Sequence, residues 1–160
     1  MRERAPVPPA GWEMQVREVV PRLFIGTKIL PPAEYATLGV DAIVDLEPWD
    51  YAWVPPVPTG FIYLSFPLED EEVVDPKVVE VAAFVASLVN ANQRVLVHCT
   101  EGLNRAGVVV ARTLVELGHS PADAIELVRN QRGLSMDGFE ALSNESFVAW
   151  LLGEPRAPGV

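Results

Sequence analysis

The feature that most constrains this chain is a ten-residue segment, residues 98–107, that lies between two apolar stretches. The segment reads HCTEGLNRAG. Before it, residues 94–97 form a short β-branched apolar run that predicts a buried strand. After it, residues 108–117 are apolar on nearly every face, the pattern of a helix buried inside a domain. Because a strand–loop–helix turn directs backbone N–H groups and a helix dipole at one point, the segment predicts an anion site.

Three residues of the segment, Cys99, Gly102 and Arg105, indicate which reaction the predicted anion site supports. Cys99 lies at the start of the turn, where a helix N-terminus and a nearby cation favour the thiolate form. Arg105 lies at the start of the helix and can hold two oxygens of a phosphate in a bidentate fork. Gly102 permits the positive φ that lets a loop close around an anion. The segment therefore predicts a nucleophile that attacks phosphorus and forms a phosphocysteine.

The pattern His98-Cys99-x5-Arg105 resembles the signature of the cysteine-based protein phosphatases. The surrounding chain resembles their dual-specificity branch from about residue 19 to residue 152, and residues 95–152 are most similar to small bacterial members. The resemblance implies that Cys99 is the nucleophile and that Arg105 and the loop amides bind phosphate. The implied phosphate-binding positions are Thr100, Glu101, Gly102, Leu103, Asn104 and Arg105. The resemblance also implies that His98 hydrogen-bonds within the loop and supports the thiolate.

An acidic segment about thirty residues before the cysteine supplies a candidate general acid. Members of the family carry Pro-x-x-Asp at this place, and Pro67-Leu68-Glu69-Asp70 has the same spacing. A carboxyl held over the phosphate can protonate the leaving oxygen. The resemblance therefore implies that Asp70 is the general acid, with Glu69 or Glu71 as alternates. Without the resemblance, an acidic loop after a strand is usually solvated surface.

Two loop positions depart from the family's usual sequence. Ala106 stands where most members have Ser or Thr, whose hydroxyl helps the thiolate leave. A phosphate-binding module with little or no turnover is therefore an alternative to an enzyme. Glucan phosphatases also carry Ala there, so a phosphoglucan or another non-protein ester is an alternative substrate. Glu101 stands where enzymes for inositol phosphates usually have Lys, which disfavours substrates with several phosphates.

The loop also resembles that of RNA 5′-triphosphatases, which makes an RNA 5′-triphosphate a further alternative substrate. Those enzymes lack the general acid and carry basic surfaces, whereas this chain has a candidate acid and a net charge of −10. We therefore expect the partner to be a phosphorylated protein, on Tyr, Ser or Thr, or another phosphomonoester. An acidic surface also disfavours nucleic acid and anionic membranes as partners.

Residues 47–60 form a predicted loop with four prolines and three aromatic residues. One interpretation is a stiff surface loop whose aromatic side chains fold back on the body of the protein. Members of the family contact substrate with the matching loop, which suggests recognition by Trp49, Tyr51 or Trp53. Both interpretations stay open on the sequence.

Strands and helices alternate along the chain, which predicts an α/β fold with a small central mixed or parallel sheet flanked by helices on both faces. The predicted strands are residues 21–26, 40–46, 61–65 and 94–97. The predicted helices are residues 31–39, 75–90 (with Asp75 as N-cap), 108–117, 121–130 and 143–152. We expect a disordered lead-in over residues 1–11, one phosphatase domain over residues 12–152 and a flexible tail over residues 153–160.

Composition limits the class of protein. The chain has 160 residues, 49% of them hydrophobic, which suits one domain with one substantial core. Its single cysteine excludes an internal disulfide framework and fits a reducing compartment, so we expect a cytoplasmic protein, and a monomer. No apolar stretch approaches the ~20 residues of a membrane span. No cluster of His, Cys and Asp has metal-ligand spacing, so no metal or other cofactor is expected.

Overall fold

The computed structural model describes residues 14–31, 33–50 and 52–153. The predicted lead-in and all but the first residue of the predicted tail lie outside these ranges. The strands are β1 (Val16–Val20), β2 (Leu23–Gly26), β3 (Ala42–Asp45), β4 (Ile62–Ser65) and β5 (Val95–His98). The helices are α1 (Tyr35–Leu38), α2 (Val78–Asn90), α3 (Arg105–Glu116), α4 (Pro121–Arg132) and α5 (Glu145–Leu152).

The strands form one mixed sheet in the order β1-β2-β5-β3-β4. Only β1 and β2 pair antiparallel among these neighbours; the other pairs are parallel. The predicted α/β fold with a small mixed sheet is therefore confirmed. Because β5 is the middle strand, His98 pairs in register with Gly26 on one side and with Asp45 on the other. The carboxyl ends of three parallel strands thus meet where the segment 98–107 begins, the usual place for a ligand site in such sheets.

Both faces of the sheet are covered. Along β5, Val95 and Val97 face the main core, while Leu96 faces a smaller apolar cluster. The main core receives the buried faces of the four long helices, and α3 packs against α2, α4 and α5. The smaller cluster receives Tyr35 of α1, which stacks on Phe61. A strand buried on both faces is apolar at every position, which is why β5 shows no alternation in the sequence.

Helix boundaries differ from the predicted ones by a few residues. The second predicted helix begins at Val78 rather than beside Asp75, because the Asp75 carboxylate accepts from the Lys77 amide and the Asp75 carbonyl accepts from the Val78 amide, closing a tight turn first. α4 continues to Arg132, two residues beyond the predicted end, because the Arg132 side chain is buried. α1 is a single turn that begins at Tyr35, capped by Glu34. No helix in the described ranges is long and apolar enough to cross a membrane.

Candidate active site

The phosphate loop, here residues 98–106, is tied by its backbone to the neighbouring strand. The Cys99 amide donates to the Gly26 carbonyl (3.4 Å), and the Lys28 amide donates to the Thr100 carbonyl (3.0 Å). Gly102 has φ +69°, as the sequence predicts, and a Cβ there would lie 2.6 Å from the Gly26 carbonyl oxygen. Both the left-handed backbone and the close approach therefore require glycine at position 102.

A buried arginine holds the same loop from behind. Arg132 of α4 is only 1% exposed. Its guanidinium donates to the carbonyls of Glu101 (3.0 Å) and Gly102 (2.9 Å), and to the side chain of Gln15 (2.9 Å). These bonds turn the carbonyls of the loop toward the protein interior. The loop is thereby fixed with its carbonyls facing away from an anion.

The Cys99 sulfur is buried and receives two backbone hydrogen bonds. The amides of Gly102 and Ala106 lie 3.3 and 3.4 Å from Sγ. Thr100 has other partners, since its hydroxyl donates to Glu47 and accepts from Arg105. The N-cap residue of α3, Asn104, makes no side-chain cap bond, so the first amides of this helix are left for the sulfur and for an anion.

Arg105 bridges the phosphate loop and the segment that carries the candidate acid. Its guanidinium donates to the Thr100 hydroxyl (2.9 Å) and to the Leu68 carbonyl (3.3 Å). Leu68 is buried in the main core, and its amide donates to the Leu46 carbonyl (3.1 Å). The chain is therefore anchored two residues before Asp70.

Asp70 is exposed on the rim and lies within reach of the loop. One carboxylate oxygen accepts from the Asn104 side chain (3.1 Å), and the other accepts from the Asn144 side chain (2.8 Å). The side chains of Glu69 and Glu71, the alternates for the general acid, are exposed, and neither residue lines the pocket over Cys99 in the described ranges. The geometry favours Asp70 among the three.

One pocket of about 260 Å³ collects the predicted catalytic and phosphate-binding residues. It is lined by Asp70, Cys99, Thr100, Glu101, Leu103, Asn104 and Arg105. Gly102 and Ala106 shape it through their backbone bonds to the sulfur. A thiol, a guanidinium and a carboxyl thus line one space large enough for a phosphoryl group.

A buried polar cluster lies beneath the loop and consists of Asp45, Glu47 and His98. Asp45 accepts from the Tyr63 hydroxyl (2.6 Å) and from the Glu47 amide (3.0 Å). Glu47 accepts from the Thr100 hydroxyl (3.2 Å) and lies 3.8 Å from the Lys28 ammonium. Within the described ranges, Glu47 Oε1 and the two ring nitrogens of His98 are buried without a hydrogen-bond partner.

Burial shifts the pKa values of Glu47 and His98 in the directions that favour their neutral forms, which lowers the charge of the cluster. Desolvation raises the pKa of Glu47 to about 7, against the opposing attraction of Lys28. Desolvation also lowers the pKa of His98, against the opposing attraction of Asp45. His98 points its ring nitrogens toward these two carboxylates, at 3.7 Å from Asp45 and 3.9 Å from Glu47. Its predicted support of the thiolate stays a prediction.

The two tryptophans of the aromatic loop, residues 47–60, differ in their exposure to solvent. Trp49 is 54% exposed, whereas Trp53 packs partly buried against the smaller apolar cluster. Tyr51 lies outside the described residues. Within the described ranges, neither tryptophan lines the pocket over Cys99. Their predicted role in substrate recognition therefore stays a prediction.

Sequence reasoning overlooked three residues that hold the site together. The predicted helix over residues 121–130 stops short of Arg132, no sequence pattern connects Asn144 to the acid, and Glu47 begins the predicted loop over residues 47–60. Arg132 carried one usable signal, because it continues the register of a helix whose buried face includes Ala124 and Val128. The other two contact residues far away in sequence, which no local pattern records.

Comparison with known families agrees with this geometry. Residues 23–152 match the dual specificity phosphatase catalytic domain. Mouse dual specificity protein phosphatase 2 is 32% identical over 82 residues, which cover 49% of this chain and 26% of that protein. Mouse RNA/RNP complex-1-interacting phosphatase is 43% identical over 54 residues, which cover 33% of this chain and 17% of that protein. The chain therefore spans only a small part of the length of these relatives.

Solved structures share the fold over nearly the whole chain. Human DUSP28 superimposes with a TM-score of 0.66 at 25% identity, covering 93% of this chain and 95% of that one. A mouse putative dual specificity phosphatase superimposes with a TM-score of 0.66 at 24% identity, covering 96% of this chain and 89% of that one. With the match over residues 23–152, the chain belongs to the dual specificity phosphatase family.

Proposed function

We propose that this protein is a metal-independent phosphomonoester hydrolase that works through a phosphocysteine. The observation that carries the proposal is that Cys99, Arg105 and Asp70 line one pocket. Two amides on the Cys99 sulfur support the thiolate form of the nucleophile. The match to the dual specificity phosphatase domain supports the same chemistry.

The reaction has two steps. In the first, the Cys99 thiolate attacks phosphorus while Arg105 and the amides of residues 100–105 hold the phosphoryl oxygens. The bond from phosphorus to the leaving oxygen breaks, and Asp70 gives that oxygen its proton. In the second, water attacks the phosphocysteine and gives a proton to the Asp70 carboxylate. The phosphorus–sulfur bond breaks, which releases phosphate and restores the thiolate.

We propose a phosphorylated protein, on Tyr, Ser or Thr, as the substrate. The similarity to mouse dual specificity protein phosphatase 2 and, at 33% identity over 97 residues, to mouse protein tyrosine phosphatase type IVA 3 supports this substrate class. A matched pair of phosphopeptides that differ only in phosphotyrosine or phosphoserine tests the preference. Release of phosphate from neither peptide would contradict the proposed substrate class.

The covalent mechanism is tested with Cys99→Ser. We expect turnover of p-nitrophenyl phosphate to fall by at least about a thousandfold, because loss of a nucleophile removes the covalent route. Binding of vanadate, measured by calorimetry, should persist because the loop amides and Arg105 remain. Substantial hydrolysis by this variant would contradict the phosphocysteine. If the wild type binds vanadate but hydrolyses no ester, the protein is the phosphate-binding module suggested by Ala106.

One alternative substrate has a specific observation behind it. The relatives named RNA/RNP complex-1-interacting phosphatase share up to 47% identity with this chain over a short segment. An RNA 5′-triphosphate therefore belongs in the substrate panel beside phosphopeptides and phosphoglucan. A kcat/KM for RNA above that for every phosphopeptide would replace the phosphoprotein assignment. The acidic net charge of −10 leads us to expect the opposite result.

We propose that the aromatic loop contributes to binding of peptide substrates. The exposure of Trp49 beside the carboxyl end of β3 supports this role. Replacing Trp49 and Trp53 by Ala should raise KM for phosphopeptides and leave KM for p-nitrophenyl phosphate unchanged. Equal responses of the two substrates would make the loop structural.

We further propose that the protein is a cytoplasmic monomer most similar to small bacterial members of the family. The single thiol, needed in reduced form for catalysis, supports a reducing compartment. Light scattering at several protein concentrations tests the monomer, since a dimer would double the measured mass. A search against bacterial sequences tests the closer kinship.

A further inference from the structure

Asp70 is held by two side-chain amides that come from different parts of the chain. Its Oδ1 accepts from Asn144 Nδ2 (2.8 Å) and its Oδ2 accepts from Asn104 Nδ2 (3.1 Å). Asn144 Nδ2 also donates to the Glu71 carbonyl (3.0 Å). One asparagine therefore binds both the side chain of Asp70 and the backbone of the next residue, which fixes the position and the orientation of the carboxyl.

Asn144 is itself fixed by the end of a helix. Its Oδ1 accepts from the amides of Ser146 (3.0 Å) and Phe147 (3.2 Å), so it is the N-cap of α5. Phe147 is fully buried in the main core and anchors the helix behind the cap. Because the oxygen of the amide is used by the cap, the nitrogen must point outward, toward the Asp70 carboxylate. The direction of the donor is set by the helix.

The second amide joins the acid to the phosphate loop. Asn104 lies one residue before Arg105, and its Oδ1 accepts from the Asn144 amide (3.0 Å). Its Nδ2 donates to Asp70 and to the Ser143 hydroxyl (3.3 Å). The two asparagines therefore form one unit that connects α5, the phosphate loop and the acid.

The two asparagines counteract a charge repulsion among the acidic residues around Asp70. Residues 69–72 are four consecutive acidic residues, all exposed. Like charges at neighbouring positions repel, and they also repel a dianionic phosphate ester in the pocket. Neutral amide donors attract a carboxylate without adding a charge to the pocket, so they can hold Asp70 over the pocket.

We propose that Asn144, together with Asn104, is a positioning residue that holds the Asp70 segment closed over the phosphate pocket. This inference rests on the proposed function, in which Asp70 is the general acid. Among the described residues that line the pocket over Cys99, Asn144 is absent, and it acts through Asp70. Its removal should therefore affect the proton transfer to the leaving oxygen and spare the attack of the thiolate.

Asn144→Ser tests the proposal without removing the helix cap, because Ser is also a favoured N-cap residue. Its hydroxyl can accept from the α5 amides, but the amide that donates to Asp70 is lost. We expect kcat/KM for phenyl phosphate, which has a poor leaving group, to fall roughly tenfold to a hundredfold, the value of a hydrogen bond to a charged group. The kcat/KM for p-nitrophenyl phosphate, which hardly needs a proton, should fall less than about threefold.

Two further variants make the test specific. Ser120→Ala removes the N-cap of α4, whose hydroxyl accepts from the Asp123 amide, and controls for a weakened helix end. It should leave the ratio of the two kcat/KM values unchanged. Asn144→Asp keeps the cap oxygen but sets a carboxylate against Asp70, so it should lower the phenyl phosphate value more than Asn144→Ser does.

A double-mutant cycle with Asp70→Asn separates the inference from the proposed function. If Asp70→Asn shows the leaving-group dependence and Asn144→Ser adds nothing to it, the positioning role is supported. If Asp70→Asn shows the dependence but Asn144→Ser lowers both substrates equally, changes neither, or adds its full effect, the positioning role is overturned and the general acid stands. If Asp70→Asn shows no leaving-group dependence, both the general acid and its positioning by Asn144 are overturned.

Discussion

The phosphate loop and the acidic segment, residues 69–72, face each other across one pocket but are held in different ways. The loop is bound through its backbone, by the end of β2 and by the buried guanidinium of Arg132. The acidic segment is exposed, and its best-defined contacts are those of Asp70 with two asparagine side chains. The phosphate loop is therefore held by backbone and buried groups of the core. The acidic segment lies on the surface and is joined to the rest of the site mainly through the Asp70 side chain.

This difference matches what each side must do. Binding a phosphoryl group needs N–H donors in fixed positions, because reorganising them during the reaction would cost free energy. The segment that carries a general acid must let the substrate enter, and the acid itself must give up a proton and later take one from water. These requirements favour a segment of lower local stability. Four predictions use the contrast, from the largest expected effect to the smallest.

Asp70→Asn removes the proposed proton donor in the acidic segment and leaves the phosphate loop intact. We expect kcat/KM for phenyl phosphate to fall by roughly 10²–10⁴-fold, the usual contribution of general acid catalysis. Hydrolysis of p-nitrophenyl phosphate should fall far less, because its leaving group is stable without a proton. Steady-state kinetics on both esters measures the difference. An equal loss on both would assign Asp70 to binding or folding.

Gly102→Ala disturbs the phosphate loop, which the backbone holds in place. The new Cβ would meet the Gly26 carbonyl oxygen at 2.6 Å, in a residue with φ +69°. Strain and overpacking together should lower the free energy of unfolding by roughly 2–5 kcal/mol, as measured by urea denaturation.

Gly39→Ala is the matched control for this variant. Gly39 has φ +68°, but no atom of the described residues lies within 4 Å of its added Cβ. It should lose only the strain of the left-handed backbone, about 1–2 kcal/mol. If both variants lose the same stability, the close approach of the loop to β2 is not what fixes it.

Ala106→Ser tests how the protein stabilises the Cys99 thiolate when it leaves the phosphocysteine. Two backbone amides already donate to Sγ, and the Ala106 side chain offers no hydroxyl beside them. If the amides do not suffice, phosphocysteine hydrolysis is slow, and p-nitrophenyl phosphate gives a burst of about one equivalent of nitrophenol. The added hydroxyl should then raise kcat roughly tenfold to a hundredfold. It should leave kcat/KM unchanged, because that ratio reports only the first step.

A buried alanine farther along the same helix provides the control. Ala111 is also buried in α3, and it lies five residues beyond Ala106, about 7.5 Å farther along the helix. A hydroxyl added by Ala111→Ser should therefore not change the burst. Fast turnover of the wild type without a burst would mean that the amides of Gly102 and Ala106 suffice to stabilise the departing thiolate.

Glu47→Gln changes how stability depends on pH. Burial raises the pKa of Glu47 from 4.5 to about 7, so the folded protein keeps a proton there that the unfolded chain has released, and stability falls as pH rises through this window. Burial lowers the pKa of His98, so the unfolded chain takes up a proton that the folded protein lacks, and stability falls as pH drops below 6.5. The two trends oppose each other as pH falls below 6.5 and flatten the wild-type profile there.

The Gln variant removes only the first trend. Its stability should therefore fall on acidification more steeply than that of the wild type, by up to about 1.4 kcal/mol per pH unit. Urea denaturation at several pH values measures the slope, with Glu126→Gln, at an exposed position of α4, as the control for a lost charge. Parallel profiles of wild type and Glu47→Gln would contradict the protonation of Glu47 beneath the loop.

The sequence alone determined the strand–loop–helix turn, because its parts are neighbours in the chain. Cys99, Gly102 and Arg105 lie within seven residues, and the apolar runs on either side specify a buried strand and a buried helix. Alternating patterns predict four of the five strands and the helices, and the structure confirms the α/β fold, whereas β1 (Val16–Val20) has no counterpart among the predicted strands. Asp70 was reached through the resemblance to a family, since an acidic loop by itself does not differ from surface.

Only the tertiary structure decided what holds these parts in place. Arg132 meets the Glu101 carbonyl across 31 residues, Asn144 meets Asp70 across 74, and Glu47 meets Thr100 across 53. Each contact is a hydrogen bond. The local sequence around Glu47 and Asn144 would suit an exposed position equally well, and only the helical register of Arg132 with Ala124 and Val128 indicates burial. Their partners are set by the parallel order of β2, β5 and β3 and by the packing of α4 and α5, which bring distant residues to one edge of the sheet. Local periodicity records which face of an element is apolar, but not which polar groups meet when those faces are buried.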